Sequence, residues 1–531
     1  MDSKFACRKE LQHNLFEGLS AMFGREVPLY DKSLAVNQCC NRAVCDLLSQ
    51  VFVGFKRSQS DLLRTGRERH GAIRIGREDE FRWIARYFAC FDMEPHDFYD
   101  MTTLGKKSQP VICTAFRSQS EPENRIFASL LRPEYFGEKT SQRIVSALAS
   151  RQVISPNIQA VIEKCERDGG LSLEDGNFLA TQGHEQIFCW KGEASNRDLY
   201  DDLCRSGYKI AADICCFPSH HLNHLTPNSL CIDLYSLAMK WKLGEKDDLA
   251  FTSESREFLT RLSKRVDGHW MMLHFPELTH QLIGSYRHSE VSCDKIDRVA
   301  SELFCSLQNG SLDLSGLPHN GYKDRTEGPD ETSPILLRQD SYRALTEKII
   351  FTDEPKPCEF SHTARFGEIE QRFYATTPQG RSLYDSCLAH RDEAEGSDHG
   401  DADPFKSIPK SLVELVAKDL VYAEFESNPE AIAHTSGGPF TSVTDLMRRG
   451  MLLCRGQRYE DFLPFSAAGI FASNLDQYGT ESDISSQCSY TKEHLESILG
   501  RSIVDSQHSY AKVHHQSLEK ALESLGISVP H

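Results

Sequence analysis

Hydrophobic positions near the start of the chain recur with the spacing of a helix. Leu11, Leu15 and Leu19 mark one face of residues 8–25, and a second series follows over 33–57. Apolar residues three and four positions apart lie on one side of a helix and pack against a neighbour. The pattern predicts that the chain starts as helices packed on a larger body.

Short apolar runs bounded by glycine, proline or polar turns come next, and such runs are typical of β-strands. Strands are predicted at 70–76, 110–116, 125–131, 208–217, 229–234 and 364–372. Helices are predicted at 78–90, 158–167, 173–181, 253–266, 278–286 and 293–307, from 377 past 383, and within 490–525. This mixture predicts an α+β protein.

The order of the segments predicts four parts. Residues 1–235 hold the N-terminal helices and the first part of an α+β core, and 236–343 form an inserted, mostly helical lobe that ends in a linker. Residues 344–480 form the second part of the core, and 481–531 form C-terminal helices.

The charge balance is acidic, since 77 Asp and Glu against 60 Lys and Arg give a net charge of -17 over 531 residues. Affinity for nucleic acid depends largely on neutralising phosphates with basic side chains, so no nucleic-acid partner is expected. Ser155 and Pro156 open the helix 158–167 as cap and first helical residue. With 173–181 this helix could form a winged helix, but without a basic face the pair is interpreted as a packing element.

The sequence favours a cytoplasmic protein with no membrane partner. No apolar run approaches the roughly 20 residues of a membrane-spanning helix, and residues 1–20 lack the apolar core of a signal peptide. The 18 cysteines include no Cys-x-x-Cys pair, which disfavours a zinc ribbon. Reduced thiols fit the cytosol. The sequence indicates no oligomeric state.

Metal-capable side chains stand beside strand-like sequence at three widely separated places. They are His70, the cluster His220, His221 and His224, and Glu368 or Glu370. Two histidines and one carboxylate can hold Fe(II) on one face and leave positions open for a 2-oxo acid and dioxygen. Most of the 21 histidines serve surface or packing roles, so spacing alone does not establish a site.

Five strings along the chain carry a resemblance to a known family. They are ERHGAIR at 68–74, TAFR at 114–117, HLNHLTP at 221–227, FGEIEQR at 366–372 and YEDFLPFSAAGIF at 459–471. Together they resemble the 2-oxoadipate dioxygenase/decarboxylase family, also called hydroxyglutarate synthase. That family is related to vicinal oxygen chelate enzymes such as 4-hydroxyphenylpyruvate dioxygenase. The resemblance implies a curved β-sheet that holds the metal, surrounded by helices, with an inserted helical lobe.

The resemblance also implies roles for individual residues. The family's metal ligands fall on His70, His224 and Glu368, with Fe(II) as cofactor, and both histidines then border the substrate. Its catalytic, substrate-binding arginine falls on Arg74. A guanidinium can pair with a carboxylate through two hydrogen bonds and stays charged.

Two neighbouring residues leave alternatives open. Glu370 shares a strand face with Glu368, so either could be the carboxylate ligand, although FGEIEQR resembles the ligand segment of 4-hydroxyphenylpyruvate dioxygenase at Glu368. His221 either orients a ligand or the substrate by hydrogen bonds, or lies exposed in a loop.

By the same resemblance Phe465 and Ser466 line the substrate pocket, although on composition alone residues 463–471 could be core. The family is expected to carry valine at the position of Phe465 and glycine at that of Phe373. The departure at Phe465 bears on the size of the pocket and on the choice of substrate, and the departure at Phe373 is expected near the metal.

The function implied is that of an Fe(II)-dependent enzyme of lysine catabolism. It would convert 2-oxoadipate and O2 to 2-hydroxyglutarate and release two molecules of CO2. One alternative is the same chemistry on a different 2-oxo acid. Another is a non-catalytic binding member of the family that acts through the lobe at 236–343, but such a protein would have no physical need for a complete set of ligands.

Overall fold

The computed structural model describes residues 5–103, 108–118, 123–149, 151–324, 326–394, 404–428, 431, 442–463 and 489–527. The helices in these ranges are α1 (Arg8–Glu26), α2 (Pro28–Val51), α3 (Gln59–Thr65), α4 (Glu78–Ala89), α5 (Glu138–Ala149), α6 (Pro156–Asp168), α7 (Leu173–Gln182), α8 (Arg197–Arg205), α9 (Lys209–Cys216), α10 (Ile232–Lys242), α11 (Asp248–Arg265), α12 (Gly268–His274), α13 (His280–Ser285), α14 (Cys293–Leu307), α15 (Pro378–Ala394), α16 (Leu412–Ala417), α17 (Val443–Arg448), α18 (Lys492–Leu499) and α19 (Ser506–Ser524).

The strands in the same ranges are β1 (Phe52–Val53), β2 (Glu68–Ile75), β3 (Glu94–Asp100), β4 (Val111–Arg117), β5 (Arg125–Leu131), β6 (Glu193–Ala194), β7 (His224–Pro227), β8 (Arg287–His288), β9 (Leu337–Ser341), β10 (Thr346–Phe351), β11 (Cys358–Thr363), β12 (Phe366–Arg372), β13 (Ala423–Ser427) and β14 (Leu452–Gly456). The largest sheet they form has seven strands in the order β3-β4-β5-β2-β7-β12-β9 and curls into a half-barrel.

Three central strands of this sheet are neighbours in space although they are far apart in sequence. β7 pairs antiparallel with β2 on one side and parallel with β12 on the other. β2 continues the sheet through a parallel pairing with β5, and β12 continues it through an antiparallel pairing with β9. Side chains from β2, β7 and β12 can therefore meet on one face of the sheet.

The side chains of β2 alternate between the two faces of the sheet. Ile73 and Ile75 enter the main hydrophobic core, which includes residues of α1, α2 and α4. Ala72 enters a second cluster that includes residues of α8 and α9. Because successive side chains of a strand point to opposite faces, His70 and Arg74 lie on the same face as Ala72.

The structure confirms most predicted elements, together with the predicted α+β class and its curved sheet among helices. The helix opened by Ser155 and Pro156 is α6, and it ends at Gly169, whose φ of 83° is the left-handed conformation typical of a helix end. The predicted strands at 70–76, 110–116, 125–131 and 364–372 correspond to β2, β4, β5 and β12.

Two predicted strands are wrong. The segment 208–217 contains α9 and its two cap residues, and α10 begins inside the segment 229–234. Nearly every side chain of both segments is buried. A short apolar run that is buried on all sides has no periodicity typical of either a helix or a strand. The pattern of apolar residues therefore could not distinguish the two.

The predicted lobe at 236–343 contains α11, α12, α13 and α14. Two elements tie it to the core, since α10 crosses position 235 and β9 joins the sheet beside β12. The division into four parts stays a prediction. Among the described residues, no helix combines the length and the hydropathy that crossing a membrane requires.

Candidate metal centre

His70, His224 and Glu368 meet at the centre of the curled sheet, one on each of three adjacent strands. Strand register brings them together, because His224 lies opposite Ala72 of β2 and opposite Phe366 of β12. His70 and Glu368 each stand two residues from these pairing positions and so share their face.

The three side chains could bind one metal ion together. Glu368 Oε2 lies 3.4 Å from His70 Nε2 and 3.4 Å from His224 Nε2. One potential ligand atom from each residue lies within 4.8 Å of the others, and all three residues are buried. Within the described ranges, this is the one group of His, Cys, Asp or Glu side chains that meets this criterion.

The electrostatic environment favours the protonation states that bind metal. Burial lowers the pKa of His224 to about 4, and the nearby charges of Arg74 and Lys323 act in the same direction. Although burial opposes ionisation of Glu368, the influence of His224 and His70 is larger, and its pKa lies below the usual value. A neutral imidazole and an ionised carboxylate at neutral pH are the forms that coordinate a metal.

Glu370 contacts the opposite side of His70. Its Oε2 lies 2.7 Å from His70 Nδ1, and Arg372 donates to both of its carboxylate oxygens at 2.7 and 3.0 Å. Although burial acts against the ionised form, Arg372 and His70 hold the pKa of Glu370 well below its usual value. An ionised Glu370 accepts a hydrogen bond from Nδ1–H, which leaves Nε2, on the side of Glu368, with a free lone pair for a metal.

Further hydrogen bonds fix the carboxylate of Glu368. Thr226 donates its hydroxyl to Glu368 Oε2 at 3.0 Å, and the Gln339 amide donates to the same oxygen at 3.4 Å. Both come from strands beside β12 in the sheet. Glu368 is thereby held between the two histidines, whereas Glu370 is held against Nδ1.

Arg74 is buried on the same face, 7% exposed, and its Nη1 donates to Asp213 Oδ2 at 2.7 Å. His221 reaches the same carboxylate, with Nε2 3.2 Å from Asp213 Oδ1. His221 is buried, so its interpretation as an exposed loop residue is wrong. Asp213 was missed by sequence reasoning because α9 was predicted as a strand, where its acid had no assigned partner.

Lys323 is a second residue that no motif indicated. It is buried, and its Nζ lies 5.6 Å from the centre of the Phe366 ring, which stacks on His224 at 5.1 Å. Burial lowers the pKa of Lys323 to about 8, partly offset by Glu368. The centre therefore has a cationic amine beside its ligands. A lone lysine in a loop carries no sequence signal for such a position.

Phe465 and Ser466 lie outside the described residues. The segment that precedes them does reach the centre, because the ring of Phe462 packs edge-on against His70 at 4.9 Å and lies tilted against Phe127 at 5.2 Å. Phe373 instead belongs to a separate hydrophobic cluster with residues of α16, β13 and β14. That departure from the expected glycine therefore lies in a different hydrophobic cluster from Phe462, the ring that packs on His70.

Comparison with known proteins gives a consistent result along nearly the whole chain. A family model described as 2-oxoadipate dioxygenase/decarboxylase matches residues 15–247 and 307–474. The 2-oxoadipate dioxygenase/decarboxylase of Pseudomonas putida is 30% identical over 528 residues, covering 96% of this chain and 95% of the relative. The Escherichia coli protein of the same name is 29% identical over 522 residues, covering 96% and 97%.

A solved structure agrees with this match. The hydroxyglutarate synthase of Pseudomonas putida in complex with 2-oxoadipate superposes with a TM-score of 0.68 at 27% identity, covering 99% of this chain and all of that one.

Proposed function

The chain belongs to the 2-oxoadipate dioxygenase/decarboxylase family, and from this premise we propose that it is an Fe(II)-dependent enzyme acting on 2-oxoadipate and O2 to form 2-hydroxyglutarate and CO2. The observation that carries the proposal is the buried cluster of His70, His224 and Glu368. A non-catalytic relative would have no reason to keep two imidazoles and a carboxylate together inside a core.

The residues present fit a divalent metal. Both ring nitrogens of His224 and Oε1 of Glu368 are buried and have no hydrogen-bond partner among the described residues. Buried polar atoms are rarely left unsatisfied, and a metal ion would satisfy one nitrogen and the carboxylate together. The nitrogen and oxygen donors suit Fe(II), although they can also accept Mn, Co, Ni or Zn.

When bound, Fe(II) would supply the redox chemistry that lets the 2-oxo acid react with O2. His70 and His224 would donate neutral nitrogens, and Glu368 would donate a charged oxygen. Arg74 would bind the substrate carboxylate that does not chelate the metal, since a guanidinium suits that geometry. Burial of all four residues keeps water from the reacting groups.

Atom balance corrects the expected number of CO2 molecules. 2-Oxoadipate has six carbons and 2-hydroxyglutarate has five, so one CO2 is released for each O2 and not two. Both atoms of O2 then remain in the products, and the substrate itself is the reductant. The ratio of CO2 to O2 is therefore a direct check on the reaction.

The test is turnover by purified protein loaded anaerobically with Fe(II) and then given 2-oxoadipate and O2. We expect equal amounts of O2 consumed and CO2 released, with 2-hydroxyglutarate as the product. 2-Oxoglutarate and 4-hydroxyphenylpyruvate serve as comparison substrates, and Mn, Co, Ni and Zn serve as comparison metals. A His224→Ala protein should lose both metal binding and turnover.

Each outcome bears on a separate part of the proposal. Turnover of only another 2-oxo acid would contradict the substrate and keep the metal centre. Iron binding without turnover of any substrate would favour the non-catalytic alternative. An active His224→Ala protein would remove His224 from the ligand set.

A further inference from the structure

Asp213 is buried where three other segments meet its own helix, and together they direct four donors at its carboxylate. Oδ2 accepts from Arg74 Nη1 of β2 at 2.7 Å and from Asn223 Nδ2 at 3.1 Å. Oδ1 lies 3.2 Å from His221 Nε2 and 3.0 Å from His362 Nε2 of β11. The acid itself stands on α9 and is 2% exposed.

We infer that Asp213 is a positioning residue that aims the guanidinium of Arg74 at the substrate carboxylate. The inference rests on the proposed function, in which Arg74 binds the carboxylate that lies away from the metal. It adds a role for four residues outside the ligand set: Asp213, His221, Asn223 and His362.

The carboxylate of Asp213 has little freedom to rotate. An ionised carboxylate offers about four acceptor sites, and four donors from β2, from β11 and from the loop before β7 occupy them here. Although burial opposes ionisation, the influence of His221 and Arg74 holds the pKa of Asp213 well below its usual value. The acceptor that faces Arg74 is therefore a fixed, charged group.

A further bond extends the network from His362 to Tyr200. The Tyr200 hydroxyl lies 2.8 Å from His362 Nδ1. Burial lowers the pKa of His362, so at neutral pH the ring carries one proton. The consistent arrangement has Tyr200 donating to Nδ1 while Nε2–H donates to Asp213. Tyr200 thereby selects the tautomer of His362 that bonds Asp213.

The network acts on Arg74 at a position that faces the centre. Arg74 follows Ala72 by two residues on the inner face, and Ala72 pairs with the ligand residue His224. Asp213 is bonded to Nη1, whereas a guanidinium has five N–H donors in a rigid plane. Because the plane is rigid, fixing Nη1 also sets the directions of the remaining N–H groups. A buried arginine also needs a counter-charge before substrate arrives, and Asp213 supplies it.

The experiment compares wild type, Asp213→Asn, Arg74→Ala and the double variant, each loaded with Fe(II). Asp213→Asn keeps the size of the side chain and removes its charge. We expect its KM for 2-oxoadipate to rise about tenfold or more, the size associated with losing hydrogen bonds to a charged group. Its affinity for Fe(II) should not change, because none of the metal ligands contacts Asp213 in the described hydrogen bonds.

The double variant separates positioning from a general structural role. If Asp213 acts through Arg74, Asp213→Asn should add less than about twofold to KM once Arg74 is alanine. The inference would be overturned if the rise in KM of the double variant equalled the product of the rises in the two single variants. A second readout is binding, without O2, of 2-oxohexanoate, which lacks the distant carboxylate. Its affinity should be equal for wild type and Asp213→Asn.

Two further variants keep the test valid if Asp213→Asn folds poorly. Tyr200→Phe removes only the hydroxyl at the far end of the network and should raise KM by a smaller factor. Asp233→Asn breaks a partly buried pair, in which both Arg338 amino groups donate to Asp233 at 2.7 and 2.8 Å, and should leave KM unchanged. An equal rise in KM for Asp233→Asn would contradict the inference. Failure of the wild type to bind or turn over 2-oxoadipate would instead contradict the proposed function.

Discussion

At the scale of single residues, Glu368 and Glu370 contact opposite nitrogens of the same histidine. Both point to one face of β12, but Glu368 lies between His70 Nε2 and His224 Nε2 while Glu370 lies against His70 Nδ1. Arg372 satisfies Glu370 with two hydrogen bonds, whereas Oε1 of Glu368 has none among the described residues. The carboxylate with unsatisfied acceptor capacity is the better metal ligand.

Replacing Glu370 tests this division of roles. Glu370→Gln retains an acceptor for Nδ1 but loses the charge, so the affinity for Fe(II) should fall by roughly 10- to 100-fold without being abolished. Glu368→Ala should abolish binding. Anaerobic metal titration with a competing chelator measures both, with the exposed Glu359→Gln as control. Complete loss of metal in Glu370→Gln together with retained affinity in Glu368→Ala would reverse the assignment.

At the scale of elements, α2 packs closely against β12, the strand that carries Glu368. A Cβ on Gly367 would stand 2.7 Å from the Tyr30 ring of α2 and 2.7 Å from the Tyr342 hydroxyl. Both tyrosines are buried, so neither ring has open space to move into. Gly367 thus lets α2 and β12 approach to van der Waals contact beside Glu368.

Gly367→Ala should therefore destabilise the protein. Overpacking of this kind costs about 1 to 3 kcal/mol in free energy of unfolding, and a displaced β12 would also weaken metal binding. Gly284→Ala is the control, since a Cβ there meets nothing within 4 Å and alanine suits the helix α13. Urea denaturation and metal titration measure the two effects. A Gly367→Ala protein as stable as wild type would show that the tyrosines can move.

The presence or absence of local sequence signals explains which elements the sequence could predict. Helix α6 and strands β4 and β5 carry local signals, namely a serine at the N-cap position followed by proline, and short bounded apolar runs. α9 carries no such signal, because all seven residues from Ile210 to Cys216 are buried. With the wrong element predicted there, the role of Asp213 could not be predicted either.

At the scale of the whole molecule, a segment far away in sequence packs against the edge of the seven-stranded sheet. The C-terminal segment joins the edge strand β3, where Asp97 donates its amide to Val504 and Val504 donates to Pro95. His96 lies buried between these contacts, with Nδ1 2.8 Å from the Glu94 carbonyl oxygen. Loss of this junction would free one edge of the sheet.

His96 should make the stability of the protein depend on pH. Burial, reinforced by Arg117, lowers its pKa to about 4 in the folded state, against about 6.5 when unfolded. Between those values the unfolded chain binds the proton and the folded protein does not. The contribution of His96 is therefore complete above pH 6.5 and is lost as the pH falls toward 4, on the order of 3 kcal/mol in all.

Urea denaturation at pH 7, 6 and 5 tests this expectation. His96→Gln should lose less stability than wild type between pH 7 and pH 5, because glutamine does not titrate. The exposed His508→Gln should keep the slope of the wild type. Parallel curves for wild type and His96→Gln would contradict the expected role of His96.

The sequence by itself determined the chemistry that is available and much of the local structure. It indicated His70, His224 and Glu368, because a resemblance over several strings marks residue types and their order along the chain. Only the tertiary structure decided which atoms face one another. The pairing of β2, β7 and β12 separated Glu368 from Glu370, and the burial of α9 joined Asp213 to Arg74. Such contacts join residues far apart in sequence, and long-range packing leaves no periodic signal along the chain.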